Sequence, residues 1–223
     1  NLSGNPAEEE RLNLLLSANS ETNRLEELYA RTMEEFLISG LAVHKKWFGV
    51  RRGRSACRTD HVSPAQFFFD TSARDFRGGD AALVGEVHEI RCDELVASLA
   101  RNPDEARELR NIYGVSEQES HDVSCTLYEV WERRRPMRLY CHDLRSGRFY
   151  RFEGEPAEID ERNRHRRLKG LPQIHTKWQT DEEWRYSFLA PTGHVLRRGN
   201  SPYRHGGHPY IYKAYPYIDG EIH

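Results

Sequence analysis

The stretch from Leu25 to Phe48, LEELYARTMEEFLISGLAVHKKWF, contains the change of period that decides the fold class. Up to Leu37 its apolar residues recur every three or four positions, as in an amphipathic helix, and Gly40 can end that helix in a left-handed conformation. From Leu41 the pattern changes to that of a strand. The stretch therefore predicts a long helix followed directly by a strand.

Two helices are predicted before this change of period. The longer one has Ser20 as its N-cap and continues for about twenty residues. A shorter acidic helix over residues 7–17 precedes it and ends near Asn19. The N-terminal part is therefore expected to be helical.

Strands predominate in the rest of the chain. Alternation of apolar and polar residues predicts strands and hairpins within residues 41–62, 83–90, 124–152, 174–197 and 208–217. Further helices are predicted over residues 94–100, 103–113 and 155–169. The run Phe67-Phe68-Phe69 indicates a corner of the core. Because helices come first and strands later, the fold class is α+β, with N-terminal amphipathic helices, then mostly antiparallel strands and hairpins with two or three further helices.

The composition is that of a polar chain without a global basic excess. Of 223 residues, 37% are hydrophobic and 30% charged, the mean hydropathy is -0.83, and 35 acidic against 33 basic residues give a formal charge of -2. Residues 1–40 hold eight acidic and three basic residues, whereas residues 131–170 hold seven acidic and twelve basic ones. Such blocks of opposite charge are typical of solvated faces, or of contacts between neighbouring elements or subunits.

No run approaches the roughly 18 apolar residues of a membrane span, so no membrane partner is expected.

Motifs for catalysis or cofactor binding are missing from the sequence. It contains no GxGxxG, GxxxxGK[ST], GxSxG or HExxH motif and no EF-hand loop. The pairs Cys141-His142-Asp143 and His205-Gly-Gly-His208 each lack a second ligand pair for zinc. The cysteines have no CxxC spacing and favour reduced, buried thiols, in a reducing compartment, over a disulfide scaffold: Cys57, Cys92, Cys125 and Cys141. We therefore expect a protein that is not an enzyme, with no metal and no cofactor.

Two basic runs are the candidate contact residues. They comprise Arg133, Arg134, Arg135, Arg162, Arg164, Arg166, Arg167 and Lys169. On a helix, Arg162, Arg166 and Lys169 share one face. These side chains suit contact with phosphates, or pairing with Glu158, Glu161 or an acidic neighbouring subunit.

Several segments, taken in order, carry a resemblance to a known family. They are Thr22–Ile38 running into Gly40–Trp47, then Val62–Asp70 with Ala73–Asp75, Gly85–Ile90 with Asp93–Leu95, Tyr128–Glu132, Asn200–Tyr203 and His208–Glu221. In this order the chain resembles a portal protein of tailed bacteriophages, of the short-tailed type. The resemblance implies a single α+β wing-like domain over residues 1–223, helical over 1–40, mixed over 41–122 and β-rich over 123–223. It also implies a longer polypeptide, with stem and clip regions beyond residue 223.

The resemblance also implies a function. A portal subunit assembles with itself into a ring of about twelve copies at one capsid vertex. Double-stranded DNA is packaged and ejected through the ring, and the terminase motor, head-completion or adaptor proteins, and scaffold or capsid proteins bind to it. The implied location is the virion of a phage or prophage, after assembly in the bacterial host cytoplasm. No catalytic residue is needed for this role.

Two other functions remain open at this point. The basic run over residues 162–169 suits a non-catalytic module that binds another protein. Scattered histidines, cysteines and carboxylates leave room for a nucleic-acid-processing enzyme with a dispersed site.

Overall fold

The computed structural model describes residues 6–51, 54–75 and 77–215. Within these ranges the chain forms five helices and eleven strands. The helices are α1 (Pro6–Asn23), α2 (Leu25–Ser39), α3 (Cys92–Leu99), α4 (Pro103–Tyr113) and α5 (Pro156–Leu168). The strands are β1 (Leu41–Arg51), β2 (Arg54–His61), β3 (Phe67–Phe69), β4 (Leu83–Arg91), β5 (Ser124–Arg134), β6 (Met137–Asp143), β7 (Arg148–Phe152), β8 (Ile174–Thr180), β9 (Glu183–Leu189), β10 (Val195–Asn200) and β11 (Tyr210–Ala214). The predicted α+β class, with helices first and mostly antiparallel strands after them, is confirmed.

The boundary between the first two helices differs from the prediction. Ser20 lies inside α1 and caps nothing, and the break comes at Arg24, which adopts the left-handed conformation at φ 48°. A single residue in this conformation is enough to interrupt the helical hydrogen-bond ladder. Gly40 ends α2 as predicted, with φ 73° and its N–H donating to the carbonyl of Phe36.

The chain divides into two compact units. Residues before 133 and after 184 form the larger unit, and residues 133–184 form the smaller one. The larger unit contains a three-stranded sheet in the order β11-β1-β2 and a five-stranded sheet in the order β10-β9-β5-β4-β3. The strand β11 lies at a sheet edge, as its preceding proline, Pro209, requires. Residues 216 and 217, predicted to extend this strand, lie outside the described residues.

Aromatic packing joins the two sheets of the larger unit. The buried ring of Phe67 on β3 lies 5.3 Å from that of Tyr210 and 5.0 Å from that of Tyr212, both on β11. Gly85 on β4 makes room for this corner, because a Cβ there would lie 2.2 Å from the ring of Phe68. The predicted core corner at residues 67–69 is confirmed.

The helices α3 and α4 form the second part of the larger unit's core. The predicted helix ends agree best with the structure for α4. Asn102 caps its first turn, Pro103 is its first residue and Gly114 ends it. The helix α3 starts at Cys92, two residues before the predicted start. Buried side chains of both helices pack with Cys125 and Leu127 of β5.

The smaller unit is a three-stranded antiparallel sheet in the order β7-β6-β8 with α5 packed against it. Ile159, the single buried residue of α5, packs against Cys141 and Ile174. A capping box formed by Glu155 and Glu158 starts the helix. Ile159 is therefore the buried apolar contact between a mostly polar helix and its sheet.

Candidate functional site

The predicted cations all lie in the smaller unit, and the structure divides them by their partners. Arg166 is bound inside the unit: its two terminal nitrogens donate to the two carboxylate oxygens of Asp143 at 2.7 and 2.9 Å. These charge-assisted bonds hold the pKa of Asp143 well below its usual range. Arg166 thereby fixes α5 to the end of β6.

Three of the other arginines have looser partners. Arg162 lies 3.6 Å from Glu158, one of the carboxylates that the sequence suggested, with its guanidinium 5.6 Å from the ring centre of Phe152. Arg133 and Arg135 lie 3.9 and 3.7 Å from the carboxylate of Glu182. The pairs of Arg162 and Arg135 are more than half exposed and add little to stability, whereas the side chain of Arg133 is only 12% exposed and lies 6.0 Å from the ring centre of Trp184.

Lys169 lies just past the end of α5, whereas the predicted helix extended to residue 169. The helix ends at Leu168, and Lys169 is its C-cap, with its N–H donating to the carbonyl of Arg166. The cations with exposed side chains, called the surface cations below, are Arg134, Arg135, Arg162, Arg164, Arg167 and Lys169.

A second charged site, which the sequence did not predict, lies inside the larger unit. Glu86 on β4 and Glu129 on β5 are directly opposite each other in the antiparallel ladder. Like charges in this position repel. Lys45 of β1 relieves the repulsion, because its ammonium lies 3.2 Å from Glu86 and also donates to Glu129. The three residues, with His88, form what we call the buried charge cluster.

Hydrogen bonds complete the cluster. The indole N–H of Trp131 donates to Glu129 at 2.8 Å, and the hydroxyl of Tyr210 donates to Glu86 at 3.2 Å. His88 Nε2 lies 2.9 Å from the other oxygen of Glu129. Every carboxylate in the cluster therefore has more than one partner, which buried charges need.

The surroundings keep both kinds of charge ionised. Burial alone would raise the pKa of Glu129, but the bond to His88 and the charge of Lys45 outweigh it and hold this pKa at about 2. Burial would lower the pKa of Lys45, but the charges of Glu129 and Glu86 raise it. The hydroxyl of Tyr210 stays protonated, because burial and the two carboxylates raise its pKa.

The cluster has the donor atoms of a metal site but is better suited to the lysine. One ligand atom each from Glu86, His88 and Glu129 lie within 4.8 Å of one another. Lys45 already brings a positive charge to both carboxylates, so a divalent cation would have to displace a buried ammonium. The geometry thus describes an internal ion-pair network that joins two sheets.

An aromatic cavity of about 410 Å³ adjoins the cluster. Lys45 and Glu129 reach one side of it, and its rings include those of Trp131 and Tyr203, which stack with centres 5.8 Å apart. Arg197, which also lines the cavity, donates to the carbonyl of Leu99 at 2.7 Å.

Comparison with known proteins identifies the family. The family model for phage P22-like portal proteins matches residues 3–223. The chain belongs to that family. The comparison with curated proteins found no match. The role of this portal protein in the phage is structural.

The thiols of this portal protein are mostly inaccessible. Cys92, Cys125 and Cys141 are buried and Cys57 is exposed, and all four are free. Burial and the neighbouring Cys92 raise the pKa of Cys125 to about 12, so its thiol stays protonated. Such a group is a poor nucleophile.

The sequence did hold a signal for the buried charge cluster of this portal protein. Glu129 lies two residues from Leu127 and two from Trp131, so it shares their side of the strand and puts a carboxylate on the core side of β5. Glu86 and His88 are two residues apart and therefore lie on the same side of β4. The partner Lys45 is more than 40 residues away in sequence, so no spacing rule connects it with them.

Proposed function

We propose that this protein is a structural subunit of a portal ring at the capsid vertex, through which double-stranded DNA is packaged and ejected. The observation that carries the proposal is the match of the portal family model to residues 3–223, almost the whole chain. A ring of about twelve copies with closed symmetry is the assembly that this role requires. We place the subunit in the virion, after assembly in the host cytoplasm.

The other proposed partners follow from the same role. The terminase motor, head-completion or adaptor proteins, and scaffold or capsid proteins would each contact part of the ring. In the described part of the chain no helix has the length and apolar character to cross a bilayer. We assign both compact units to the wing region of the portal subunit.

The surface cations are proposed as contacts with a negatively charged partner, either DNA phosphates or an acidic surface of another subunit. Their exposure on and around α5 supports this assignment. Arg166 is left out of the contact set, because Asp143 already engages both of its terminal nitrogens.

Electron microscopy of the product of the complete reading frame tests the proposed function. We expect rings with a central channel about as wide as a DNA duplex, roughly 20 Å, of the kind a closed cyclic assembly forms. A folded product that stays monomeric or dimeric at all concentrations would contradict the proposal.

The same preparation distinguishes the two partners of the surface cations. Arg164→Glu combined with Arg167→Glu should weaken binding of double-stranded DNA, with a shallower salt dependence, if the partner is phosphate. If the partner is a subunit, the same change should instead reduce ring formation without added DNA. Arg145→Glu, an exposed turn residue of the same unit, serves as the control.

A further inference from the structure

Two histidines lie between α2 and the three-stranded sheet of the larger unit. His44 on β1 and His61 on β2 are directly opposite each other in the antiparallel ladder, so their side chains share one side of the sheet at a Cβ separation of about 5 Å. Each ring contacts a residue of α2, which is Thr32 for His44 and Glu35 for His61. These two histidines, called the histidine pair below, therefore lie where α2 is attached to the sheet.

The bond between His44 and Thr32 determines where His44 takes up a proton. The hydroxyl of Thr32 donates its single hydrogen to the carbonyl of Leu28 at 2.7 Å, so it accepts a hydrogen bond from Nε2 of His44, also at 2.7 Å. The neutral ring therefore carries its proton on Nε2, and acid adds the second proton at Nδ1. That step keeps the bond to Thr32 and adds a positive charge under the helix.

The carboxylate of Glu35 is the negative charge that faces the histidine pair from α2. It lies 3.2 Å from Nε2 of His61, and the side chains of His61 and Glu35 are 10% and 24% exposed. Arg31, also on α2, lies 3.8 Å from the same carboxylate. The other acidic residues of α1 and α2 are exposed to water. One carboxylate, already shared with an arginine, cannot neutralise two imidazolium rings.

The helices bring no further charge to the histidine pair. The ring of Tyr29 on α2 lies 5.8 Å from that of His44, and its hydroxyl is neutral at physiological pH. The side chains through which α1 binds β2 are those of Asn19 and Asn23, which do not ionise. Both helices therefore contribute neutral groups here, apart from Arg31 and Glu35.

The strands add positive charge on the same side of the sheet. Lys46 follows His44 by two residues on β1, and Lys213 of β11 is opposite Ala42, so both lysines share the side of the histidine pair. Both are exposed. Asp60 of β2 lies on the other side, where it accepts a hydrogen bond from the indole of Trp47.

These surroundings favour the neutral form of both rings. Burial, the charge of His61 and the charge of Lys46 lower the pKa of His44 below its ordinary value of 6.5. Burial and the charge of Arg31 lower the pKa of His61 as well, against the carboxylate of Glu35, which raises it. The contribution of the neutral pair is therefore complete above pH 6.5 and is lost as the pH falls below that value through the lowered pKa values.

We propose that the histidine pair is a pH-sensitive contact that loosens α2 from the sheet in acid. Once both rings are charged, two imidazolium groups are directly opposite each other, and like charges in that position repel. The strands β1, β2 and β11 stay joined by their backbone ladders, whereas α2 is attached through side chains. The helix is therefore the element that separates and lets water solvate the charges. The inference concerns contacts inside one subunit and does not depend on ring formation.

Amide hydrogen exchange followed by mass spectrometry tests the proposal on the product of the complete reading frame. Peptides from α2 are compared at about pH 7.5 and about pH 5, on either side of the ordinary histidine pKa, after correction for the pH dependence of intrinsic exchange. Peptides from α4 in the same protein are the reference. Protection of α2 relative to α4 should fall by about tenfold at the lower pH, the change that one pKa unit produces. Unchanged relative protection would overturn the proposal.

A variant with a neutral pair separates this response from other effects of acid. It carries His44→Gln and His61→Gln, whose amides retain hydrogen-bonding groups but take up no proton. Its α2 should be equally protected at both pH values. The matched control carries His165→Gln and His194→Gln, two exposed histidines, and should respond as the unaltered protein does. Persistence of the response in the neutral variant would assign it to other groups and contradict the proposal.

A variant of opposite effect keeps the test decisive if the neutral variant does not fold. Glu35→Gln removes the carboxylate that partly compensates the charged pair and leaves both histidines in place. Its loss of protection at about pH 5 should therefore exceed that of the unaltered protein. Glu34→Gln, at an exposed neighbouring position of α2, should leave the loss unchanged. If Glu35→Gln lost no more protection than Glu34→Gln, the charges of the histidine pair would not govern the attachment of α2.

Discussion

The buried charge cluster and the helix α5 are both rich in ionised side chains, yet they differ in what those charges do. Lys45 has side-chain exposure of 16% and Glu129 of 6%, whereas Arg162 and Glu158 retain 54% and 52%. Removing one partner of a buried pair leaves an unpaired buried charge and costs several kcal/mol. An exposed pair adds little to stability, because water solvates both side chains when the pair separates. In this portal protein, the burial of a charged side chain therefore decides whether its ion pair stabilises the fold or lies on the surface.

Arg166 stands between these extremes. Its side chain is 21% exposed and that of Asp143 is 15% exposed, although both belong to the polar smaller unit. The pair and Ile159 both attach α5 to its sheet, and the other arginines of the helix, Arg162, Arg164 and Arg167, are exposed. A comparison of substitutions across the three environments tests this division.

The largest effect is expected for Lys45→Met. The substitution leaves Glu86 and Glu129 opposite each other without the shared ammonium, and breaking a buried pair in this way costs about 3–5 kcal/mol. Urea unfolding followed by tryptophan fluorescence measures the loss. Lys46→Met, which changes the adjacent exposed lysine of β1, should cost less than about 0.5 kcal/mol. Equal losses for the two would contradict the role given to the cluster.

A second prediction concerns the pH dependence of the cluster. The folded-state pKa of Glu129 is about 2, below its ordinary value of 4.5, so its ionisation favours folding above pH 4.5 and that contribution disappears as the pH falls toward 2. The protein with Glu129→Gln should therefore be less stable than the unaltered protein at neutral pH. The difference should shrink over this acidic range.

Urea unfolding at a series of pH values measures this difference. Glu108→Gln, at an exposed position of α4, should show no such convergence. A difference between Glu129→Gln and the unaltered protein that stays constant down to pH 2 would mean that Glu129 contributes through packing alone.

The sequence predicted the fold class because its signals are local. The change of period at Gly40 and the helix predicted over residues 103–113 depend on signals within a few residues, and both appear in the structure as predicted. The predicted position of the break between the first two helices was wrong. The left-handed residue at the break is Arg24, and the sequence has no glycine there to signal that conformation.

The site was less predictable, because its contacts are distant in sequence. The basic residues of α5 could be named from composition, but the selection of Arg166 by Asp143 depends on β6 and α5 packing together. The buried charge cluster needs Lys45, Glu86 and Glu129 from three strands of two sheets. Charge patterns alone cannot show which of two lysines, Lys45 or Lys46, turns inward until the strand register is known.

The smallest effects concern α5, where Arg166→Ala and Arg164→Ala remove the same charge from one helix two residues apart. Arg166→Ala should lower the midpoint of thermal unfolding of the smaller unit, because Asp143 loses both of its hydrogen bonds from the guanidinium. Arg164→Ala should leave that midpoint unchanged, since its side chain is exposed to water.

The effect of Arg166→Ala should also depend on pH. The pKa of Asp143 is depressed chiefly by its hydrogen bond with Arg166, so the contribution of the pair is present above the ordinary aspartate pKa of 3.8 and disappears as the pH falls through the lowered value. Unfolding midpoints of the two variants should therefore converge in strong acid. If Arg164→Ala lowered the unfolding midpoint as much as Arg166→Ala at neutral pH, the two arginines would contribute equally to stability. Burial would then not distinguish stabilising ion pairs from surface charges on this helix.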